Sequence, residues 1–134
     1  MRAFAYYLIF HTSARANHLH IANMENTARV YTARYKATFA LYDTDRHDEC
    51  MEQFEAMTWD PYMPLWFRLK IHGVLAGGME DTVHAKEPLD AAEDAYAEIC
   101  RRWPEGTPGQ EGMHKKLKKF RKELDECKRD LDEE

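Results

Sequence analysis

The 134-residue chain has no apolar run approaching the roughly 20 residues that a membrane-spanning helix needs. It has no CxxC pair, and its three cysteines, Cys50, Cys100 and Cys127, lie far apart. That pattern fits neither a disulfide framework nor a cysteine zinc site, and points to buried thiols in a reducing compartment. No phosphate-binding loop, hydrolase elbow or dinucleotide fingerprint is present. A formal charge of −5 excludes a generally basic nucleic-acid binder, leaving local basic patches to consider. What remains is a chain 44% apolar and 32% charged, large enough for one domain with a modest core.

Residues 1–23 differ from the rest. Ala3–Phe10 (AFAYYLIF) is an apolar run behind Arg2, followed by HTSARANHLHIAN. One reading is a short secretory signal, with Ala14 and Ala16 near a cleavage point. The run is short, contains two tyrosines and has a weak basic end, so the expectation is instead an appended extension before a domain over 24–134. The extension either docks its apolar run on the domain or stays apart from it.

The middle of the chain poses a choice of period. Leu65, Phe67, Leu69 and Ile71 alternate with Trp66, Arg68, Lys70 and His72, as in a half-buried strand. Against that, Pro61 and Pro64 sit where a helix begins, the apolar residues continue through Val74, Leu75 and Ala76, and Gly77–Gly78 supplies a stop. A helix over 63–77 would be apolar around most of its circumference and therefore central. Upstream, Tyr31, Tyr35, Thr38, Phe39 and Tyr42 suit a helix over 27–42 capped by Asn26 or Thr27. Asp43, Thr44 and Asp45 then offer caps for a helix over 45–58, with Cys50, Phe54 and Met57 on its apolar stripe. After a linker over 79–87, another helix is expected at 88–103.

This order resembles tetratricopeptide-like helical hairpins. Cys50, Phe54, Met57 and Pro61 match a second repeat helix, with the proline one residue early; Trp66, Leu69 and Gly77 match the next first helix, and Ala92, Tyr96 and Ile99 its partner. Two departures are the long linker over 79–87 and Arg34 at a position usually aromatic. The strings DPYMPLWFRLKIHGVLAG and AYAEICRRWPEG are also similar to strings in a group of short fungal proteins, which implies helices and a eukaryotic source. The expected fold class is all-α: tetratricopeptide-like antiparallel hairpins followed by a charged C-terminal helix.

That last helix follows the breaker-rich PEGTPGQEG. Over 111–132, Met113, Leu117, Phe120, Leu124, Cys127 and Leu131 keep three–four spacing. Such a stripe either packs on its own domain or forms a homodimer seam; at under three heptads it is short for an independent coiled coil. Lys115, Lys116, Lys118, Lys119, Arg121 and Lys122 crowd its first half and acids its end, against the helix dipole. Pairs at four-residue spacing, such as Lys119–Glu123 and Arg121–Asp125, offset part of this. The stretch 115–122 is either a solvated face or a patch for RNA or an acidic partner.

Catalytic and metal chemistry find little support. His11, His18 and His20 have no carboxylate or cysteine at ligand spacing. DTDRHD, residues 43–48, lacks the glycine and terminal glutamate of a calcium loop. His47 and Glu49 have no nucleophile or orienting group nearby in the sequence. No catalytic residue, metal site or cofactor is therefore expected. The function class expected is a non-enzymatic protein-interaction module, cytoplasmic or nuclear, without a membrane segment. It would offer Tyr35, Phe39, Tyr42 and Phe67 to a peptide or helix, with Lys115, Lys118, Lys119 and Lys122 as a second contact set. The alternatives are an RNA- or acidic-partner-binding accessory protein, nucleic acid being the less favoured partner, and an enzyme without a recognisable motif.

Overall fold

The computed structural model describes residues 14–79 and 82–133, with side chains from Asn26 to Met79 and from Val83 to Glu133. Among the described residues five helices follow in order: α1 Ala14–Asp43, α2 His47–Met57, α3 Leu65–Gly78, α4 Thr82–Arg102 and α5 Glu111–Asp132. No strand occurs among the described residues, so the fold is all-α. The alternation over 65–72 is helical. Ala3–Phe10 and His11 lie outside the described residues.

Three boundaries differ from the sequence reading, each for a local reason. α1 runs without a break through Asn26 and Thr27, which are interior residues and not caps. The polar run Asp43–Asp45 closes α1 instead of opening α2. The Thr44 hydroxyl donates to the Leu41 carbonyl at 3.1 Å, and the Arg46 N–H reaches that carbonyl at 3.0 Å. Asp45 takes a left-handed φ of 59°, a conformation that aspartate tolerates at a helix end. The stretch expected as a linker over 79–87 is largely the first turns of α4, with Pro88 inside the helix. A proline there removes one backbone bond. Its ring is buried, so packing offsets part of that loss.

α3 is the hub. Its Trp66, Leu69 and Ala76 join α4 and α5 in one apolar cluster, centred on Ala92, Ile99 and Leu117. Its Phe67, Ile71 and Leu75 join Tyr31 of α1 and Cys50, Phe54 and Met57 of α2 in a second. The α3–α4 pair is the most extensive helix contact. Pro64 supplies the extended entry into α3, with φ −59° and ψ 148°. Between α4 and α5, Thr107–Gln110 makes a turn closed by Gln110 N–H to the Thr107 carbonyl at 3.2 Å. Pro108 presets its second position, and Gly109 at φ 78° fills the third, where a side chain would be strained.

That turn lays α5 across the domain. Met113, Leu117 and Leu124 are buried, and Phe120 meets the Trp66 ring edge-on at 5.3 Å between centroids. Arg121 anchors the helix to α4 through Glu93, one N–H at 2.6 Å, and also holds Asp125 within α5 at 2.6 Å. Of the two readings of this stripe, packing on its own domain matches Met113, Leu117 and Leu124, while Phe120, Cys127 and Leu131 are half-buried against the same cluster. Replacing Leu117 (2% exposed) with alanine should cost about 2–5 kcal/mol in urea unfolding, the range for a core leucine. Stability independent of protein concentration should accompany that loss, whereas concentration-dependent unfolding would show an intermolecular seam.

Candidate functional site

Three of the four aromatic residues expected at a partner surface form one row. From Tyr35 the rings run to Phe39 (centroids 5.8 Å apart, stacked), then Tyr42 (5.9 Å, stacked), then His47 at the start of α2 (4.9 Å). Phe54 backs the row from beneath, 5.4 Å from Tyr35 and 6.4 Å from Phe39. Tyr35 is half-buried, while Phe39 is 37% and Tyr42 46% exposed. Phe67 departs from the expectation. At 3% exposure it is core, because α3 turns that side toward α1 and α2; it supports Tyr35 but is closed to a partner.

Lys70 closes the inner end of the row. Its ammonium lies 4.2 Å from the Tyr35 ring centroid and 5.8 Å from that of Phe67, a paired cation–π contact. Burial pushes its pKa below the usual amine range, and the charges of Lys116 and Lys36 push the same way. Burial likewise raises the Tyr35 hydroxyl's pKa.

The four lysines expected as a second contact set are all exposed. Lys115, Lys119 and Lys122 lie on the side of α5 opposite Leu117 and Leu124, with Lys118 flanking. The structure does not bring this set to the aromatic row. Lys118 sits 3.6 Å from Glu105, both largely exposed. Together with Gly106, Thr107, Glu111, His114 and Lys115 they line a cleft of about 400 Å³ at the head of α5. Acids and lysines are mixed there, so the cleft selects no sign of charge. Gln110 beside it is buried to 1% exposure, with both amide atoms unpaired, as is Nε2 of His114.

A further aromatic pair escapes the sequence reading. Trp59 and Tyr62 are 81% and 84% exposed on the turn between α2 and α3. The turn is tied at Asp60, which accepts from the Tyr31 hydroxyl and from the Tyr62 N–H (2.9 Å) and pairs with Arg34 at 3.5 Å. Arg68 reaches back to the Met63, Asp60 and Pro61 carbonyls at 3.0–3.2 Å. The sequence signal was WDPY itself, where an aspartate–proline turn is flanked by aromatics that no apolar stripe claims. The Lys70–Tyr35 contact was equally hidden, since nothing in a linear reading places residues of α1 and α3 together. Among the described residues, no group of three or more histidine, cysteine or acidic side chains is arranged to hold a metal ion.

The ties at Asp60 have a pH signature. The Tyr31 hydroxyl, the Tyr62 N–H and Arg34 hold its carboxyl below the usual range. A depressed folded-state value adds stability that is present above the ordinary carboxylate pKa and is lost as pH falls through the folded value. Thermal melts between about pH 5 and pH 3 should therefore fall less steeply in Asp60→Asn than in the wild-type chain. Equal slopes would mean that the Tyr31–Asp60 tie does not form.

Comparisons with protein-family models, with curated proteins and with solved structures found no match.

Proposed function

We propose that this chain is a non-enzymatic protein-interaction module that receives a peptide or helix of its partner along the aromatic row of α1. The carrying observation is the row itself: stacked rings, braced by Phe54, with Phe39 and Tyr42 left partly open. Rings already held in place lose little freedom on binding, and aromatic anchors dominate the energetics of many interfaces. A tetratricopeptide-like use of paired helices belongs to the same reading. Supporting it, Cys50, Phe54 and Met57 of α2 and Ala92, Tyr96 and Ile99 of α4 pack inward, as repeat helices do. Free thiols at Cys50, Cys100 and Cys127 support a reducing, cytoplasmic or nuclear setting. No helix among the described residues is long and apolar enough to cross a membrane.

The test is affinity capture from the source cells with the wild-type chain and with a Phe39→Ala/Tyr42→Ala variant as baits. Each truncation should cost folding about 0.5–1.5 kcal/mol in lost ring contacts, leaving a folded bait. Capture of the specific partner should fall about tenfold or more, as for hot-spot residues. An identical set of captured proteins at equal yield would overturn the reading. Loss on reversing Lys118 and Lys119 to glutamate, with the aromatic variant unaffected, would move the contact to the 115–122 stretch.

A further inference from the structure

α2 buries its core residues on one side and carries an acidic stripe on another. Asp48, Glu52 and Glu55 recur at four- and three-residue spacing, and all three are exposed. The helical winding goes on past Met57. The Trp59 N–H donates to the Ala56 carbonyl at 3.3 Å, and the Asp60 N–H to the Met57 carbonyl at 3.1 Å. Trp59, one turn beyond Glu55, therefore continues the stripe, and it is 81% exposed. Tyr62, 84% exposed, follows on the same turn. Gln53, whose side-chain carbonyl accepts from the Thr38 hydroxyl at 3.5 Å, marks the side of α2 that faces α1. The stripe lies about a third of a turn round from it, so this surface is distinct from the aromatic row.

The stripe is short of opposite charge. Like charges at three- and four-residue spacing repel one another, and His47–Met57 holds no lysine or arginine to offset them. Asp48 has the His47 imidazole at 3.8 Å. Among the described residues, Glu52 and Glu55 have no basic group within ion-pair distance. Glu55 also stands in the last turn of α2, where the helix dipole disfavours a carboxylate. The turn beyond is firmly held: Asp60 ties it to Tyr31 and Arg34 of α1, and Arg68 binds the Asp60 and Pro61 carbonyls. Rings presented on a tied turn lose little freedom on binding, and tryptophan and tyrosine are favoured interface anchors.

We propose that the outer face of α2, with Trp59 and Tyr62 at its end, is a docking surface for an arginine-bearing segment of another protein. Asp48, Glu52 and Glu55 receive its guanidinium groups. One guanidinium stacks on the Trp59 indole, the best aromatic partner for a cation. Charge complementarity carries the choice of occupant. Nucleic acid and an anionic membrane surface have the wrong sign for this face, and a bare metal ion would leave both rings unused. The net charge of −5 works in the same direction, since it draws a cationic segment at distance. The inference goes beyond the aromatic-row reading and does not depend on it: this is a second surface, for a partner of different chemistry.

The full chain carries its own reporter. Of its three tryptophans, Trp66 and Trp103 are buried, so quencher-accessible fluorescence belongs to Trp59. Caesium should quench that emission more efficiently than iodide, because the charge around the indole is negative. Saturation with a peptide of alternating arginine and alanine should protect it from acrylamide. Anisotropy of the same peptide labelled with fluorescein should show saturable binding, tighter than that of its lysine counterpart, which lacks a planar group to stack. Trp59→Ala should weaken binding about tenfold, as for a hot-spot residue. Glu52→Gln/Glu55→Gln should weaken it too. Glu126→Gln/Asp130→Asn removes the same charge from exposed positions of α5 and should have a much smaller effect. All the substituted side chains are exposed, so melting temperatures should hold while binding falls. Equal losses from the two double variants would reduce the binding to net charge and overturn the surface. So would emission closed to every quencher, iodide quenching above caesium, or binding indifferent to Trp59→Ala. Capture through Phe39 and Tyr42 is untouched by any of these outcomes, so the two readings fail separately.

Discussion

The two-sided burial of α3 is the constraint on which the other helices depend. In fourteen residues it places Trp66 and Leu69 in one cluster and Phe67 and Ile71 in another, each at 4% exposure or less. Burying such side chains contributes about 1.5–3 kcal/mol apiece, so this short helix is fixed by its neighbours more than by its own propensity. The converse also holds. Among the described residues, α1 and α2 reach α4 and α5 mainly through α3, because the two clusters share no other helix there. Tyr31–Asp60–Arg34 ties α1 to the turn that leads into α3, and Glu93–Arg121–Asp125 ties α5 to α4.

The same constraint shapes the surface. A helix buried on two sides is left with narrow strips between them, and on α3 one strip carries Lys70 and two glycines. Small residues there leave a depression where larger ones would have made a ridge. At the edge of that strip α1 contributes the Tyr35 ring, against which the Lys70 ammonium sits.

Much of this was legible in the sequence, and the failures are instructive. The stripes of α2 and α5 were plain because each of those helices buries one side only, which preserves the three–four spacing of Cys50, Phe54 and Met57 and of Met113, Leu117 and Leu124. α3 was ambiguous for the opposite reason: burial on two sides makes nearly every position apolar, and Leu65, Phe67, Leu69 and Ile71 then imitate strand alternation. The length of the apolar stretch and its proline and glycine borders spoke for helix, and the order of helices and turns around it decided the matter. The start of α4 was misplaced because Pro88 reads as a boundary, yet a buried proline can be carried inside a helix when packing offsets the missing bond. Phe67 was assigned to the surface because a linear reading cannot tell which side of a doubly buried helix meets which neighbour. The seat of the Lys70 ammonium against the Tyr35 ring is a tertiary fact, invisible until α1 and α3 are placed together.

If α3 joins the two clusters into one cooperative unit, native-state hydrogen exchange should find it protected to the level of global unfolding. The measurement follows individual amides of α3 alongside those of Cys50–Met57 in α2 and Ala92–Ile99 in α4. The account predicts that the most protected amides of all three helices exchange with a common free energy, equal to that of whole-chain denaturation. Amides of α2 exchanging through a separate opening of much lower free energy, with α3 and α4 still closed, would show that the clusters are independent and would contradict it.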